Sequence, residues 1–439
     1  MKVYAEIRYI MDLYKEEMLR NNCWCTVDLI NILEPCYIRH GYRTRMTETP
    51  KNILIIHDAG VGDFINLSPC LRAIRDRYPQ ANIVLVLYPR ALGLAEACPY
   101  VDEVIANERK CSWQDLFSLY EWNQFFTEKL LPYRFDIAFV FPHYGSAVML
   151  AYLSGAKVRV AYDISWVQQS SAFAGIIPYE AVIPFLNHPV NYSHKNVHAT
   201  ERYLGVLDAF WGEKVTNRNL EVWCKSEDLV SAEFFLSEWL TEDFPIYAIV
   251  MGGEATSKRW PPDKYAQFVR LLQQNYPEMR YVLMGGGVAD EQEAQIFLKT
   301  YYELHGNEVY IKNLVNKLTY SESVAIMDKC QAYIGNDTGN MHLAAALNKP
   351  ILAPICYAAE FSIRPDDVPN VFAPLQVPAV FIQPTKALDD CKSKKTVHGC
   401  CHFEKVHCIG QIEVQTMRLG FEILRKQCNS GKKGVIYVN

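Results

Sequence analysis

Twice along this chain, apolar runs of strand length end in a glycine-bearing turn and pass straight into a helix, and that alternation leaves few folds open. The first series begins at Lys51. Asn52–His57 reads as a buried strand, Asp58–Asp63 as a turn and Leu67–Tyr78 as a helix stopped by Pro79. Strand Asn82–Leu87, helix Ala91–Ala97, strands Glu103–Ile105 and Phe135–Phe141, helix Ser146–Leu153 and strand Val158–Ala161 complete it. The second series runs through strand Tyr247–Met251, helix Pro262–Gln274, strand Tyr281–Met284, helix Asp290–Tyr301 and strand Val309–Lys312. It ends with helix Tyr320–Lys329, strand Ala332–Ile334, helix Asn340–Leu347 and strand Ile351–Pro354. Strands alternating with helices imply parallel, doubly wound sheets, so the fold class is α/β with two similar units. Ligands of such sheets bind at the carboxyl ends of the strands, and two facing units make a cleft there.

Around these units, residues 162–200 show little periodicity and are expected to form an ordered loop region. Ala199–Trp211 and Asp228–Leu240 are helical connectors, and Glu413–Gln427 is a last helix expected to fold back across the first domain. The division is 1–50, a helical extension; 51–215, the first Rossmann-like domain; 216–415, the second; and 416–439, a C-terminal helix and tail. In the extension Val3, Ile7, Ile10, Met11, Tyr14 and Met18 recur at helical spacing. That face suits docking on the main body, with a membrane surface or an oligomer contact as the alternatives.

A length of 439 residues fits two cores, and 50% hydrophobic with 21% charged residues is the balance of a globular chain. The net charge of −5 argues against a nucleic-acid partner. It leaves open a small anionic ligand held by a few cations and helix N-termini. No apolar run reaches the roughly 18 residues of a membrane span. The charged positions Glu6, Arg8, Asp12, Lys15, Glu16 and Glu17 break up any leader-like segment, so a cytoplasmic location is expected. Most of the 14 cysteines are then expected to be reduced thiols.

The turn most suited to chemistry is Gly335-Asn336-Asp337-Thr338-Gly339, between a strand and a helix. Unpaired N–H groups at such a helix start form an anion site, and the glycines let main chain approach a phosphate. Asp337 or Thr338 as a plain N-cap is the alternative. Ser257-Lys258-Arg259-Trp260-Pro261-Pro262 follows the first strand of the second unit. Lys258 and Arg259 there would face the same cleft and offset the charge of a departing diphosphate, or else form a solvated cation pair. Gly285-Gly286-Gly287 with Asp290-Glu291 behind it is a third strand-end turn, where an acid can hold ribose hydroxyls. In the first unit, Asp63 at the loop-to-helix junction is a helix cap or a general base. Neither glycine turn has the spacing of a dinucleotide fingerprint, which disfavours an oxidoreductase.

Taken in order, several stretches resemble glycosyltransferase family 9, the ADP-heptose:lipopolysaccharide heptosyltransferases. They are Val61-Gly62-Asp63, Ser68–Arg75, Cys98–Ile105, Leu153–Lys157, Lys258–Pro262 and Gly335–Leu343. The resemblance spans most of residues 51–410. It implies a GT-B architecture, with the acceptor on the first domain, a nucleotide sugar (ADP-heptose) on the second, and inverting transfer without a catalytic metal. It puts the base at Asp63 and the phosphate cation at Lys258. Thr256, Ser257, Gly286, Glu291, Leu318, Asp337, Thr338, Gly339 and His342 fall on the donor side, and Gly60, Gly62 and His143 on the acceptor side.

The implied acceptor is a glycan or glycolipid such as lipopolysaccharide core, reached at the inner face of the cytoplasmic membrane through peripheral association. A protein acceptor and a silent sugar-nucleotide-binding protein are the alternatives. Gly252–Ser257 lacks the family's His-Pro-Gly-containing run, and Tyr144–Ala147 lacks the arginine often found after His143. Cys391, Cys400, Cys401 and Cys408, with His398, His402 and His407, have the local density of a soft-metal site. Adjacent Cys400 and Cys401 cannot easily ligate one ion, and no metal is expected to be required.

Overall fold

The computed structural model describes residues 48–57, 59–107, 125–141, 145–163, 186–191, 197–253, 255–360, 368–388 and 408–439. The expectations for the N-terminal extension, His143, Cys391, Cys400, Cys401 and the three nearby histidines lie outside them.

The first domain holds strands β1 (Asn52–His57), β2 (Asn82–Leu87), β3 (Glu103–Ala106), β4 (Ile137–Val140), β5 (Val158–Asp163) and β6 (His188–Asn191). All pair in parallel in the order β3-β2-β1-β4-β5-β6. Ile53, Leu54, Ile55 and Ile56 of β1 are completely buried, as a central strand covered on both faces requires. Its helices are α1 (Val61–Arg77), α2 (Leu92–Ala95), α3 (Gly145–Leu153) and α4 (Ala199–Trp211). α1 begins six residues before the expected Leu67, so Gly62 and Asp63 lie in its first turn rather than ahead of it. The stretch expected to be loop contains the end of β5 and all of β6.

The second domain opens with helix α5 (Ser226–Thr241) and strands β7 (Ile246–Val250), β8 (Arg280–Leu283) and β9 (Ile311–Asn313). β10 (Ala332–Gly335), β11 (Ile351–Pro354), β12 (Pro378–Ile382) and β13 (Gly434–Val438) finish its sheet. The order is β13-β12-β11-β10-β7-β8-β9, again parallel throughout. Its remaining helices are α6 (Pro262–Asn275), α7 (Val288–Glu303), α8 (Tyr320–Lys329), α9 (Gly339–Ala346) and α10 (Val414–Asn429). α10 packs on β11, β12 and α6, and β13 pairs with β12. The expected fold-back across the first domain is therefore corrected: the C-terminal segment completes the second sheet.

Both sheets reverse strand order once, between β1 and β4 and between β7 and β10. Crevices open at such reversals, and the turns after β1, β7 and β10 carry the sequence motifs described above. The connector between domains is held on α1: the Arg72 guanidinium pairs with Glu221 and donates to the carbonyls of Asn217 (2.9 Å) and Asn219 (3.1 Å). Among the described residues no helix is long and apolar enough to cross a membrane.

Candidate active site

The two crevices meet where α1 and α9 approach each other by their N-termini. A Cβ on Gly62 would stand 2.7 Å from His342 Cδ2 and 3.4 Å from Gly339 Cα. A Cβ on Gly339 would stand 3.2 Å from Val61 Cβ. Glycine at both positions is thus what allows this approach. At neither helix start does the N-cap residue close the end with its own side chain: Gly60 has none, and Thr338 makes no capping hydrogen bond. Thr338 thus stands at the N-cap position of α9 without the side-chain hydrogen bond of a cap. Two positive helix ends therefore converge on one seam.

Asp63 stands at this seam from the first domain. Its Oδ1 accepts a hydrogen bond from the Tyr203 hydroxyl on α4 at 3.2 Å. Burial is the strongest influence on its carboxyl and raises the pKa. Tyr203, the backbone N–H groups of Gly60 and Asp63, and the positive charge of Lys258 pull it back down. The contact with Gly60 is half of a capping box, so Asp63 caps its helix while keeping a raised proton affinity.

Lys258, at the end of the turn Thr256–Lys258, donates to Asp337 Oδ2 at 2.7 Å. Both side chains are half-buried. Arg259 goes elsewhere. Its guanidinium reaches the Gly253 carbonyl, Glu293 Oε1 at 2.9 Å and Asp290 Oδ1 at 3.6 Å, so it braces α7 and does not line the cleft beside Lys258. Ser257 is buried and Thr256 exposed.

Asn336 explains why these turns hold their shape. Completely buried, it accepts from Trp260 N (3.1 Å) and the Tyr265 hydroxyl (2.9 Å), and it donates to the carbonyls of Met251 and Gly252. Every polar atom of the amide is satisfied, and the turn after β10 is bolted to the turn after β7. In the Gly285–Gly287 turn it is Asp290 that accepts the Gly286 N–H (2.9 Å), while the exposed Glu291 accepts from Asn316 Nδ2 (2.9 Å). Leu318 is half-buried nearby in sequence, and Gly286 is exposed. His342 is buried with Nδ1 unpartnered among the described residues, and burial lowers its pKa to about 4. It is a neutral ring under the α9 N-terminus.

Cys408, alone of the four clustered cysteines in being described, is buried and its Sγ accepts from Leu388 N at 3.4 Å. Sequence reasoning passed over Tyr203 and His198. Neither lies in a glycine turn; they reach the seam only because α4 packs on α1.

The sequence pattern of the family described as glycosyltransferase family 9 (heptosyltransferase) matches residues 125–359, more than half of the chain. The chain belongs to glycosyltransferase family 9. It is similar to lipopolysaccharide heptosyltransferase 2 of Escherichia coli (strain K12), with 24% identity over 304 residues, 69% of this chain and 81% of that protein. Similarity to lipopolysaccharide heptosyltransferase 1 of Campylobacter coli covers 172 residues at 27% identity, 38% of this chain and 48% of that protein. Among solved structures, a family 9 glycosyltransferase from Veillonella parvula DSM 2008 superposes with a TM-score of 0.65 at 20% identity. It covers 86% of this chain and 97% of that one. The E. coli ADP-heptose lipopolysaccharide heptosyltransferase II superposes with a TM-score of 0.60 at 21% identity, over 86% and 99% of the two chains. This glycosyltransferase therefore has the GT-B fold, two facing doubly wound domains, as the family resemblance implied.

Proposed function

We propose that this glycosyltransferase moves heptose from ADP-heptose to a hydroxyl of a cell-envelope glycan such as lipopolysaccharide core, by a single inverting displacement. The observation that carries this reading is the seam itself: a carboxylate of raised proton affinity, Asp63, faces a lysine and an uncapped helix start across two opposed glycines. The names of the relatives, lipopolysaccharide heptosyltransferases, support the sugar and the acceptor class.

In this mechanism Asp63 takes the proton of the acceptor hydroxyl as its oxygen bonds to the anomeric carbon from the first-domain side. The bond from that carbon to the diphosphate oxygen breaks on the opposite side, which inverts the centre. The leaving diphosphate gathers charge where Lys258 and the N–H groups at Thr338 and Gly339 can offset it. Asp337 orients Lys258. Thr256, Ser257 and His342 line the phosphate end, while Gly286, Glu291 and Leu318 take the nucleoside. Gly60, Gly62 and His143 belong to the acceptor half. Residues 51–215 form the acceptor domain and 216–415 the donor domain in this reading, and the enzyme works at the inner face of the cytoplasmic membrane.

A thermal-shift panel of nucleoside diphosphates and their sugars tests the donor, with ADP and ADP-heptose expected to stabilise most. Asp63→Ala should keep that stabilisation and lose transfer to heptose-deficient lipopolysaccharide by roughly 100-fold or more. Full transfer by the variant would refute the base assignment. A silent binding protein would give the thermal shift with no ADP release by the wild type.

A further inference from the structure

We propose that helix α4 is a positioning element for the base, acting through the Tyr203 hydroxyl. This rests on the reading of Asp63 as the base. Two hydrogen-bonded rungs join α4 to α1. Tyr203 donates to Asp63 Oδ1 at 3.2 Å, and three residues earlier on α4 and three later on α1 Thr200 Oγ1 donates to Asn66 Oδ1 at 3.1 Å. Thr200 and Asn66 are completely buried, and 7% of the Tyr203 surface is exposed, so the rungs are enclosed where a hydrogen bond to a charged group is strong. A three-residue step returns a helix to nearly the same face, so the two rungs share one register and α4 cannot shift without moving both.

The N-terminus of α4 is itself fixed to the other domain. His198 caps the helix by accepting the Thr200 N–H on Nδ1 at 3.1 Å, and its Nε2 meets the Ala373 carbonyl at 2.8 Å. As Nδ1 accepts, Nε2 carries the proton and donates. Ala373 belongs to the second domain, so a continuous path runs from the donor domain through His198 and α4 to the carboxylate of the acceptor domain. Docking of the domains thereby sets the direction in which Asp63 presents its second oxygen.

Other groups around the carboxylate do not supply this control. Lys258 reaches it from the turn after β7 as a charge, and His57 on β1 and His342 on α9 are held neutral by burial. Tyr203 is the one side chain described as hydrogen-bonded to it.

The test reads Asp63 directly in the full chain. Carboxyl-carbon-13 aspartate is incorporated, and the Asp63 signal is assigned as the one missing from Asp63→Asn. Removing a donor to the charged form destabilises that form, so Tyr203→Phe should move the titration midpoint to higher pH. Fluorotyrosine at 203, a stronger donor of nearly the same shape, should move it lower. That variant keeps the ring should phenylalanine unsettle the packing. The acid limb of kcat/KM for transfer from ADP-heptose should follow the same order, with kcat of Tyr203→Phe down roughly ten-fold and the donor KM unchanged. An unmoved midpoint in both variants overturns the proposal, as does a kcat loss without any pH shift. Retention of transfer by Asp63→Asn would sink the base reading instead, and the midpoints would still report whether Tyr203 governs the carboxyl.

Discussion

At the scale of single residues, the buried histidine at the end of β1 makes a prediction that needs no substrate. His57 is completely buried, neither ring nitrogen has a partner among the described residues, and burial lowers its pKa to about 3. Its ring stands edge-on to Tyr203 with centroids 5.6 Å apart. The unfolded chain binds a proton here below the ordinary histidine value of 6.5, and the folded chain does not until about 3. Across that window the unfolded state holds more protons, so stability falls as pH falls, by about 1.4 kcal/mol per unit. The raised carboxyls of Asp63, Asp290 and Glu293 have the opposite sign, but they are common to a wild-type and variant pair. His57→Phe keeps a ring against Tyr203 and removes the proton site. Urea midpoints at pH 7 and pH 5 should show the variant losing about 2 kcal/mol less than wild type over that interval. Equal losses would show that His57 accepts a proton in the folded chain after all.

Elements were legible in the sequence in proportion to how local their cause is. The central strands and α8 came through with the bounds expected or within a residue or two, because an apolar run closed by a turn signal is a local pattern. Asp63, Lys258 and Gly339 were visible for the same reason, since each sits at a strand-to-helix junction. β6, β12 and β13 were not. His188–Asn191 carries a histidine and a proline, and Gly434–Val438 follows a lysine pair, so their strand character comes from the neighbour they extend. Tyr203 escaped notice because only the packing of α4 on α1 gives it a role. The seat of α10 was misjudged likewise: an amphipathic helix reveals that it has a buried face but not which sheet covers it. Gly420 records the answer. A Cβ there would press on Ile382 and stand 3.0 Å from Leu352 Cδ1, both in strands of the second sheet. Alanine gains about 1 kcal/mol of helix propensity to set against mild overpacking, so Gly420→Ala should stay close to wild type. Valine adds further carbon and a poorer helix former, and Gly420→Val should cost about 3 kcal/mol by urea midpoint. A Gly420→Val protein as stable as wild type would mean that α10 is not held this tightly.

On the scale of the whole molecule, the two domains touch where the chemistry is proposed, and that contact has a functional cost if it is lost. In the proposed displacement attack by water competes at the anomeric carbon, so a seam that brought Asp63 to the donor and shut solvent out would serve both rate and fidelity. The seam is shaped by absence of side chain: Gly62 and Gly339 let the α1 and α9 N-termini meet over the buried His342 ring. His342 cannot swing away easily, because it is enclosed, with the Phe372 ring centroid 6.4 Å from its own. Gly62→Val puts carbon into that space and should wedge the domains apart while leaving each domain's own core intact. The proposed donor residues lie on the second domain, so ADP should still raise the melting temperature by nearly the wild-type amount. Transfer should fall by roughly 100-fold, because the proposed base would no longer reach the bound sugar. Small-angle scattering with ADP bound should give a larger radius of gyration than wild type. Gly339→Ala, whose Cβ would stand 3.2 Å from Val61 Cβ and 3.3 Å from Gly62 N, should show the same effects more weakly. A Gly62→Val enzyme with normal turnover and unchanged scattering would place the working cleft somewhere other than this pair of glycines.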